Sequence, residues 1–373
     1  MKGELGMKKA ALCILLTMAV SLTACGGNGG GAVSSAEQTG DKQVAAGNTK
    51  EGSTESAGTE IKLRYADTCA DINPDGWGNK KFMELVSEKT DGRVSIEYFD
   101  RCSLGSDKEI TQSCLDGTLD MCKCSAGNMS EFSDAIAIFD LPGLFRDYDH
   151  VRAVVENPEL RQYFIGHVYE DTGLYPMIFE FDEPRGLGTT GAEIRTPNQA
   201  KGLKLRTTGA PIEMSLFSQW GVSSIAQSMT EVYTSLQNGV IDGCYNQGYI
   251  VNQESCSEVL DNWVQIQQSW CLSVKFMGPT AIEKLGGVDS ELFKTVLECA
   301  REAEEWQAEQ WVDFVAESHK EMAEKYKVNV VELTDEEQKA WFEQSYAIWN
   351  QYVGEGKQFN QDLIDKIQNL TKK

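Results

Sequence analysis

The chain has 373 residues, 57 acidic and 34 basic, for a formal net charge of −23 at pH 7. So acidic a surface repels the phosphates of nucleic acid and anionic lipid headgroups, which excludes both as partners of the folded body. It also repels anionic ligands at long range, so an anion site on such a chain has to be built locally from arginine.

Lys8 and Lys9 precede an apolar run from Ala10 to Ala19. At about 10 residues the run is too short to cross a hydrocarbon core of roughly 30 Å as a helix, so residues 1–24 read as an export signal, with Met7 as an alternative start. Leu22-Thr23-Ala24-Cys25 resembles a bacterial lipobox, which implies a lipidated Cys25 and a membrane attachment made by the lipid. Residues 26–60 contain no aromatic residue and no Leu, Ile or Met. They cannot bury enough apolar surface to offset chain entropy, so residues 25–60 are expected to be a flexible tether with a reach of about 30–35 Å. A body moving on such a tether suggests capture and delivery. Nothing after Cys25 reads as a transmembrane span.

Of the 11 cysteines, Cys13 leaves with the signal and Cys25 carries the lipid. The remainder is odd, so the thiols cannot all pair within the chain. Cys122 and Cys124 alternate along a strand and lack the Cys-x-x-Cys spacing of zinc sites, so a core or partly paired set of thiols is expected and no metal.

Ile61, Leu63 and Tyr65 alternate with charged residues as in a strand, and Phe82, Leu85 and Val86 then take helical spacing. Val94 to Phe99 reads as a second strand. Ser106-x-x-Glu109 is a capping box for a helix carrying Ile110, Cys114 and Leu115, and Leu119 to Cys124 returns as a strand. This β-α-β-α-β start predicts a parallel sheet covered by helices. Ile136 to Leu141 is an apolar run stopped by Pro142-Gly143. Val151, Val154 and Val155 mark a helix, and Tyr175 to Phe181 a buried strand. From Arg185 to Pro197 the Gly, Thr and Pro texture predicts a loop crossing into a second lobe. Leu203 to Arg206 reads as a short strand, and Pro211 opens a helix. Ser228-x-x-Glu231 is another capping box for a helix with Val232, Leu236 and Val240, ended by Gly239, before a strand from Val240 to Cys244. Between Val288 and Val353 there is no Gly or Pro. A single helix over 290–327 would be about 57 Å long and would brace both lobes. Thr334-x-x-Glu337 caps a final helix with Trp341, Phe342 and Trp349.

Gly186-x-Gly188-x-x-Gly191 matches a dinucleotide fingerprint, but Pro197 and extended loop follow where a helix should open, and Arg206 stands where an acidic ribose partner is needed. No cofactor is expected. His150, His167 and His319 sit in predicted helices among polar neighbours, and no Gly-x-Ser-x-Gly elbow accompanies them, which argues against a hydrolase triad. A glycosidase-type carboxylate pair stays open, since sequence does not reveal separations.

Gly202-Leu203-Lys204-Leu205-Arg206, then Glu231-Val232-Tyr233, Leu236, Gly239 and Asp242-Gly243, resemble the signature of substrate-binding proteins of tripartite ATP-independent (TRAP) transporters. Leu104 to Asp107, Gly117 to Asp120 and Asp140 to Phe145 are similar to further landmarks of that family, and the resemblance covers the whole body. It implies an α/β, two-lobed periplasmic-binding-protein-like fold with a long helix spanning both lobes. The first lobe would take residues 61–182, with 272–311 returning to it, and the second 183–271, with 312–371 packing on it. It also implies that Arg206 clamps a substrate carboxylate, with Arg185 and Asn246 assisting. A guanidinium fork suits that task, because it matches two carboxylate oxygens and stays charged. Met229 is expected against the ligand, and Thr68, Trp77, Ser125 and Asn128 are expected to face the cleft from the first lobe. Two departures stand out: Thr207-Thr208 follows Arg206 in place of Val-Pro, and Gly243-Cys244-Tyr245-Asn246-Gln247 replaces Gly-Gln-Glu-Asn-Pro. The function implied is extracytoplasmic capture of a small organic acid (a sugar acid, keto acid or dicarboxylate) and delivery to a membrane permease, without bond chemistry. A sensor subunit for a membrane receptor, or a surface enzyme acting on a carboxylated substrate, are the alternatives.

Overall fold

The structure, a computed structural model, describes residues 60–371; the signal, Cys25 and the tether before residue 60 lie outside them. The chain opens with β1 (Ile61–Ala66), α1 (Pro74–Lys89), β2 (Val94–Phe99), α2 (Asp107–Leu115), β3 (Met121–Ser125) and the short α3 (Ala126–Met129). A 3-10 turn (Ala137–Asp140) leads to α4 (Tyr148–Glu156), α5 (Pro158–Thr172) and β4 (Tyr175–Pro184). Next come β5 (Gly186–Thr189), α6 (Pro197–Ala200), β6 (Lys204–Thr207), α7 (Pro211–Trp220) and β7 (Ser223–Ala226). They are followed by α8 (Val232–Gln237), β8 (Gly243–Asn246), α9 (Gly248–Gln253), β9 (Asn262–Val264) and β10 (Trp270–Met277). The chain closes with α10 (Pro279–Lys284), α11 (Glu291–Glu324), β11 (Asn329–Val331), α12 (Asp335–Ala347), α13 (Trp349–Tyr352) and α14 (Gln361–Gln368).

Local chemistry accounts for many of these ends. Asn73 caps α1 by accepting from Gly76 N, with Pro74 in the first turn. The capping boxes at Ser106, Ser228 and Thr334 are all formed. Asn157 caps α5 ahead of Pro158, and Gly173 closes it at φ 76°, a start and stop that the reading of this region passed over.

The strands form two sheets, in the orders β2-β1-β3-β10-β4 and β11-β9-β5-β8-β6-β7, giving a two-lobed α/β fold. The first is mixed: β1 runs parallel to β2 and β3, as the β-α-β-α-β start predicts, but β10, which that pattern does not include, runs antiparallel to β3 and β4. It enters the sheet from the other lobe, in reverse. A correction concerns Gly186 to Thr189, read as loop; it is the buried strand β5, antiparallel to β8 and β9. A Cβ on Gly186 would lie 2.3 Å from Trp263 Cζ2, and one on Gly188 2.7 Å from Leu260 Cδ1. The first two glycines of the nucleotide-like motif therefore make room for Trp263 of the adjoining β9 (Asn262–Val264) and for Leu260 just before it. The helix after Ser228 is shorter than expected; α8 stops at Gln237, Gly239 follows at φ 68°, and Val240 is exposed. Nor is α12 final, since α13 and α14 come after it.

The 34-residue α11 is about 51 Å long at 1.5 Å per residue. Phe293, Val296, Cys299, Ala300 and Ala303 pack in the core beneath β1 and β2, whereas Met322 joins the core around Trp263. Midway, Trp311 meets Tyr249 of α9, ring centroids 4.9 Å apart. The largest apolar cluster includes Phe139 and Phe179 of one lobe and Leu205, Tyr245 and Trp341 of the other, so both lobes share one core. Trp311→Ala, deleting a fully buried ring at the middle of the brace, is expected to cost about 3–5 kcal/mol in urea unfolding; a loss below about 1 kcal/mol would show that α11 does not bind the lobes together.

Candidate functional site

Two stretches carry the chain between the sheets close to the cleft. In one, β4 ends at Pro184 and β5 starts at Gly186, so Arg185 alone separates the two strands. In the other, residues 265–269 join β9 to β10. Arg185 N donates to Ser269 O at 2.7 Å, tying the crossings together. The end of β4 also holds the elements around it. Asp182 accepts from Tyr249 Oη at 2.7 Å and from Gln247 Nε2 at 3.2 Å, and Glu183 accepts from Tyr249 N at 2.9 Å and meets His319 Nε2 of α11 at 2.8 Å.

A cavity of about 420 Å³ lies at this junction. Seven of the eight anticipated residues line it: Arg206, Arg185, Asn246, Met229, Thr68, Ser125 and Asn128. Trp77 does not. It lies within α1 instead of a loop, and its ring packs edge-on against Phe314 of α11 at 5.6 Å, so an apolar contact with the brace replaces the expected cleft position.

Arg206 sits on β6 between β7 and β8, paired with Ile225 and Cys244. Leu205 faces the shared core, and alternation turns Arg206 to the other side. Its Nε donates to Gln227 O at 3.1 Å. Although the residue is only 6% exposed, no carboxylate among the described residues lies within ion-pair distance of it. Burial pulls the guanidinium below its ordinary value, and nearby Arg185 adds to this against the pull of Glu213. Arg185 is better compensated. Burial opposes its charge, but Cys271, Glu213 and Asp140 outweigh this and raise it, with Asp140 Oδ1 3.9 Å from Nη2. Asn246, at the end of β8, donates to Met229 Sδ at 3.3 Å, which draws these two cleft residues together.

The opposite wall is organised by Asp107, which sequence reasoning missed. It is the first residue of α2 and lines the cavity. Its carboxylate accepts from Thr68 Oγ1 at 2.8 Å, Ser125 N at 3.1 Å and Asn128 Nδ2 at 3.0 Å, gathering three anticipated residues around one group. The capping box beside it was legible, and the acid next to the cap was the available signal.

Lys123 was missed as well. Flanked by Cys122 and Cys124, it faces the other side of β3, where it pairs with Asp75 and lies 3.2 Å from Glu180. Lys275 lies 2.7 Å from Asp75 and donates to Asn79 at 2.7 Å. Ligand atoms of Asp67, Cys69 and Asp75 fall within 4.8 Å of one another, a metal-like spacing. Lys123 Nζ, 3.1 Å from Cys69 Sγ and bonded to Asp75, supplies the positive charge there.

Three buried carboxyls near the crossings keep their protons unusually long. Burial, reinforced by Asp75, pushes Glu180 up to about 8; burial pushes Asp182 up to about 7 and Asp140 up to about 6.

The chain matches the family described as bacterial extracellular solute-binding protein, family 7, over residues 65–355, and it belongs to that family. It is a solute-binding protein, not an enzyme. The 2,3-diketo-L-gulonate-binding periplasmic protein YiaO of Escherichia coli K12 is 26% identical over 297 residues, spanning 78% of this chain and 85% of that one. The C4-dicarboxylate-binding protein DctB of Bacillus subtilis 168 is 23% identical over 98% of this chain and 99% of its own length. Among solved structures, the fold is similar to a TRAP periplasmic solute-binding protein from Polaromonas sp. JS666 bound to D-erythronate, with TM-score 0.76, 24% identity, and 83% of this chain and 99% of that chain covered. It is likewise similar to one from Sulfurospirillum deleyianum with bound succinate, with TM-score 0.75, 24% identity, and 84% and 100% coverage.

The raised carboxyls fix the sign of a pH effect. A folded pKa above the unfolded one means that the native state holds protons the unfolded chain has released, so stability falls as pH rises through the folded values. His150, pulled down by burial, acts the opposite way, but only up to about pH 6.5. The unfolding midpoint is therefore expected to fall from pH 6.5 to 8.5, and Glu180→Gln should flatten that fall in thermal melts; parallel curves for both proteins would refute the assignment to Glu180.

Proposed function

We propose that this protein captures a small organic acid outside the cytoplasm and hands it to a TRAP-type membrane permease. The observation that carries this reading is Arg206, a buried guanidinium at a cleft wall with no acid partner at ion-pair distance among the described residues. A carboxylate supplies what it lacks: opposite charge and two acceptors in the plane of the fork. Arg185 would add a second cation, Asn246 an amide to the carboxylate or an adjacent hydroxyl, and Met229 an apolar contact. The polar wall of Thr68, Ser125 and Asn128 would meet the ligand when the lobes close about Arg185 and residues 265–269. The organic acids bound by the Polaromonas and Sulfurospirillum proteins, erythronate and succinate, and the diketogulonate named for YiaO, support the ligand class.

In this reading 61–182 with 272–311 form the first lobe and 183–271 with 312–371 the second. Residues 1–24 direct export, and a lipid on Cys25 holds the tether at the membrane.

Titration calorimetry with the preferred acid should show Arg206→Lys and Arg206→Ala losing about 2–5 kcal/mol of binding free energy, since truncating one partner of a buried charge pair strands the other. Binding unchanged in both variants would refute the clamp, and recovery of a chemically altered acid would refute a binding role. In the native host, Cys25→Ser is expected to move the protein from the membrane to the soluble extracytoplasmic fraction; retention on the membrane would exclude the lipid anchor.

A further inference from the structure

Four cations line the cleft cavity: Lys108, Lys123, Arg185 and Arg206. Lys108 is paired with Glu131. Lys123 is paired with Asp75, lies 3.2 Å from Glu180 and donates to Cys69 Sγ at 3.1 Å, so its charge is already compensated. Arg185 has Asp140 at 3.9 Å. Arg206 alone has no acid at ion-pair distance, so the cavity offers one uncompensated positive charge. The wall of the other lobe carries a carboxylate, Asp107, whose three hydrogen bonds come from uncharged donors.

The unmatched acceptor is Gln247. It lines the cavity, is 3% exposed, and its orientation is fixed, because Nε2 donates to Asp182 at 3.2 Å while Tyr249 Oη and Glu183 N fill other sites on that carboxylate. This leaves Gln247 Oε1 without a partner. A buried carbonyl oxygen in that condition calls for a donor.

Resting on the carboxylate reading above, we infer that the site selects a polyhydroxylated monocarboxylate over a dicarboxylate, with Gln247 as a specificity residue that accepts a hydrogen bond from a ligand hydroxyl. One carboxylate satisfies Arg206. A second would have no free cation and would face Asp107, whereas hydroxyls donate to both Gln247 and Asp107. Sites built to bond a hydroxyl reject analogues lacking it strongly, because their polar groups are then stranded.

The test is calorimetry on the full chain with chain-matched pairs, D-erythronate against succinate and D-gluconate against adipate, with butyrate and hexanoate as hydroxyl-free monocarboxylates. At least one hydroxy acid is expected to bind at least tenfold more tightly than both of its matched partners, and Gln247→Met to shrink that ratio at least fivefold while the affinity for the hydroxyl-free partners holds. A dicarboxylate bound equally well or better, or a ratio unchanged in Gln247→Met, overturns the inference. Should that variant not fold, the wild-type ratios decide alone. Dicarboxylate binding that is equal or tighter and disappears in Arg206→Ala would overturn only this selectivity. Failure of every acid to bind would overturn the carboxylate reading as well.

Discussion

A guanidinium charge withdrawn from water needs an anion, and at Arg206 no acid among the described residues lies at ion-pair distance. The other buried lysines and arginines among the described residues are answered within the fold: Lys123 and Lys275 by Asp75 and Glu180, Arg161 by Glu304 at 2.6 Å, Arg185 by its acidic surroundings. In the proposed reading, a fold that compensates its other buried charges and leaves this one open holds its ligand there, at a cost in stability that binding would offset. The strand order around it follows from the same need. β6 is flanked by two parallel strands, and its Arg emerges near the strand's C-terminal end, the end at which open α/β sheets hold their ligands.

The ionic cluster in the first lobe serves a different end. Lys123, Lys275, Asp67, Asp75 and Glu180 neutralise one another inside a shell of Tyr65, Asn79 and Gln307. Such a set presents little net field to the neighbouring cavity, and it links β1, β3, β4, β10, α1 and α11 by directional bonds instead of by apolar contact. Between the two sheets, Arg185 is the covalent crossing and also lines the cavity; under the proposed function, occupation of the cleft would act on the residue about which the lobes close.

Legibility in the sequence followed the range of the interactions. Strands with strict alternation, such as Val94–Phe99, and helices with capping boxes, such as that at Ser106, are encoded within a few residues and could be read directly. Arg206 could be placed because its flanking pattern resembles that of a known family. β5 could not: its glycines look like loop until Trp263, far along the chain, is seen packed against them. The reversal of β10 is also a matter of where the chain returns, which local pattern does not carry. Asp107 and Lys123 escaped because their roles depend on partners up to 57 positions away, as between Lys123 and Glu180, and a single charged residue on a helix start or a strand reads as solvated surface. Trp77 failed in the other direction, an aromatic assigned to the ligand that belongs to the contact between α1 and α11.

Nine cysteines lie among the described residues and none is paired with another; seven are buried in the two lobes. The fold therefore owes nothing to an oxidant. Core sulfhydryls such as those of Cys122, Cys124 and Cys299 are hidden in the native state and become reactive only when the lobes unfold, so the protein carries its own chemical gauge of unfolding.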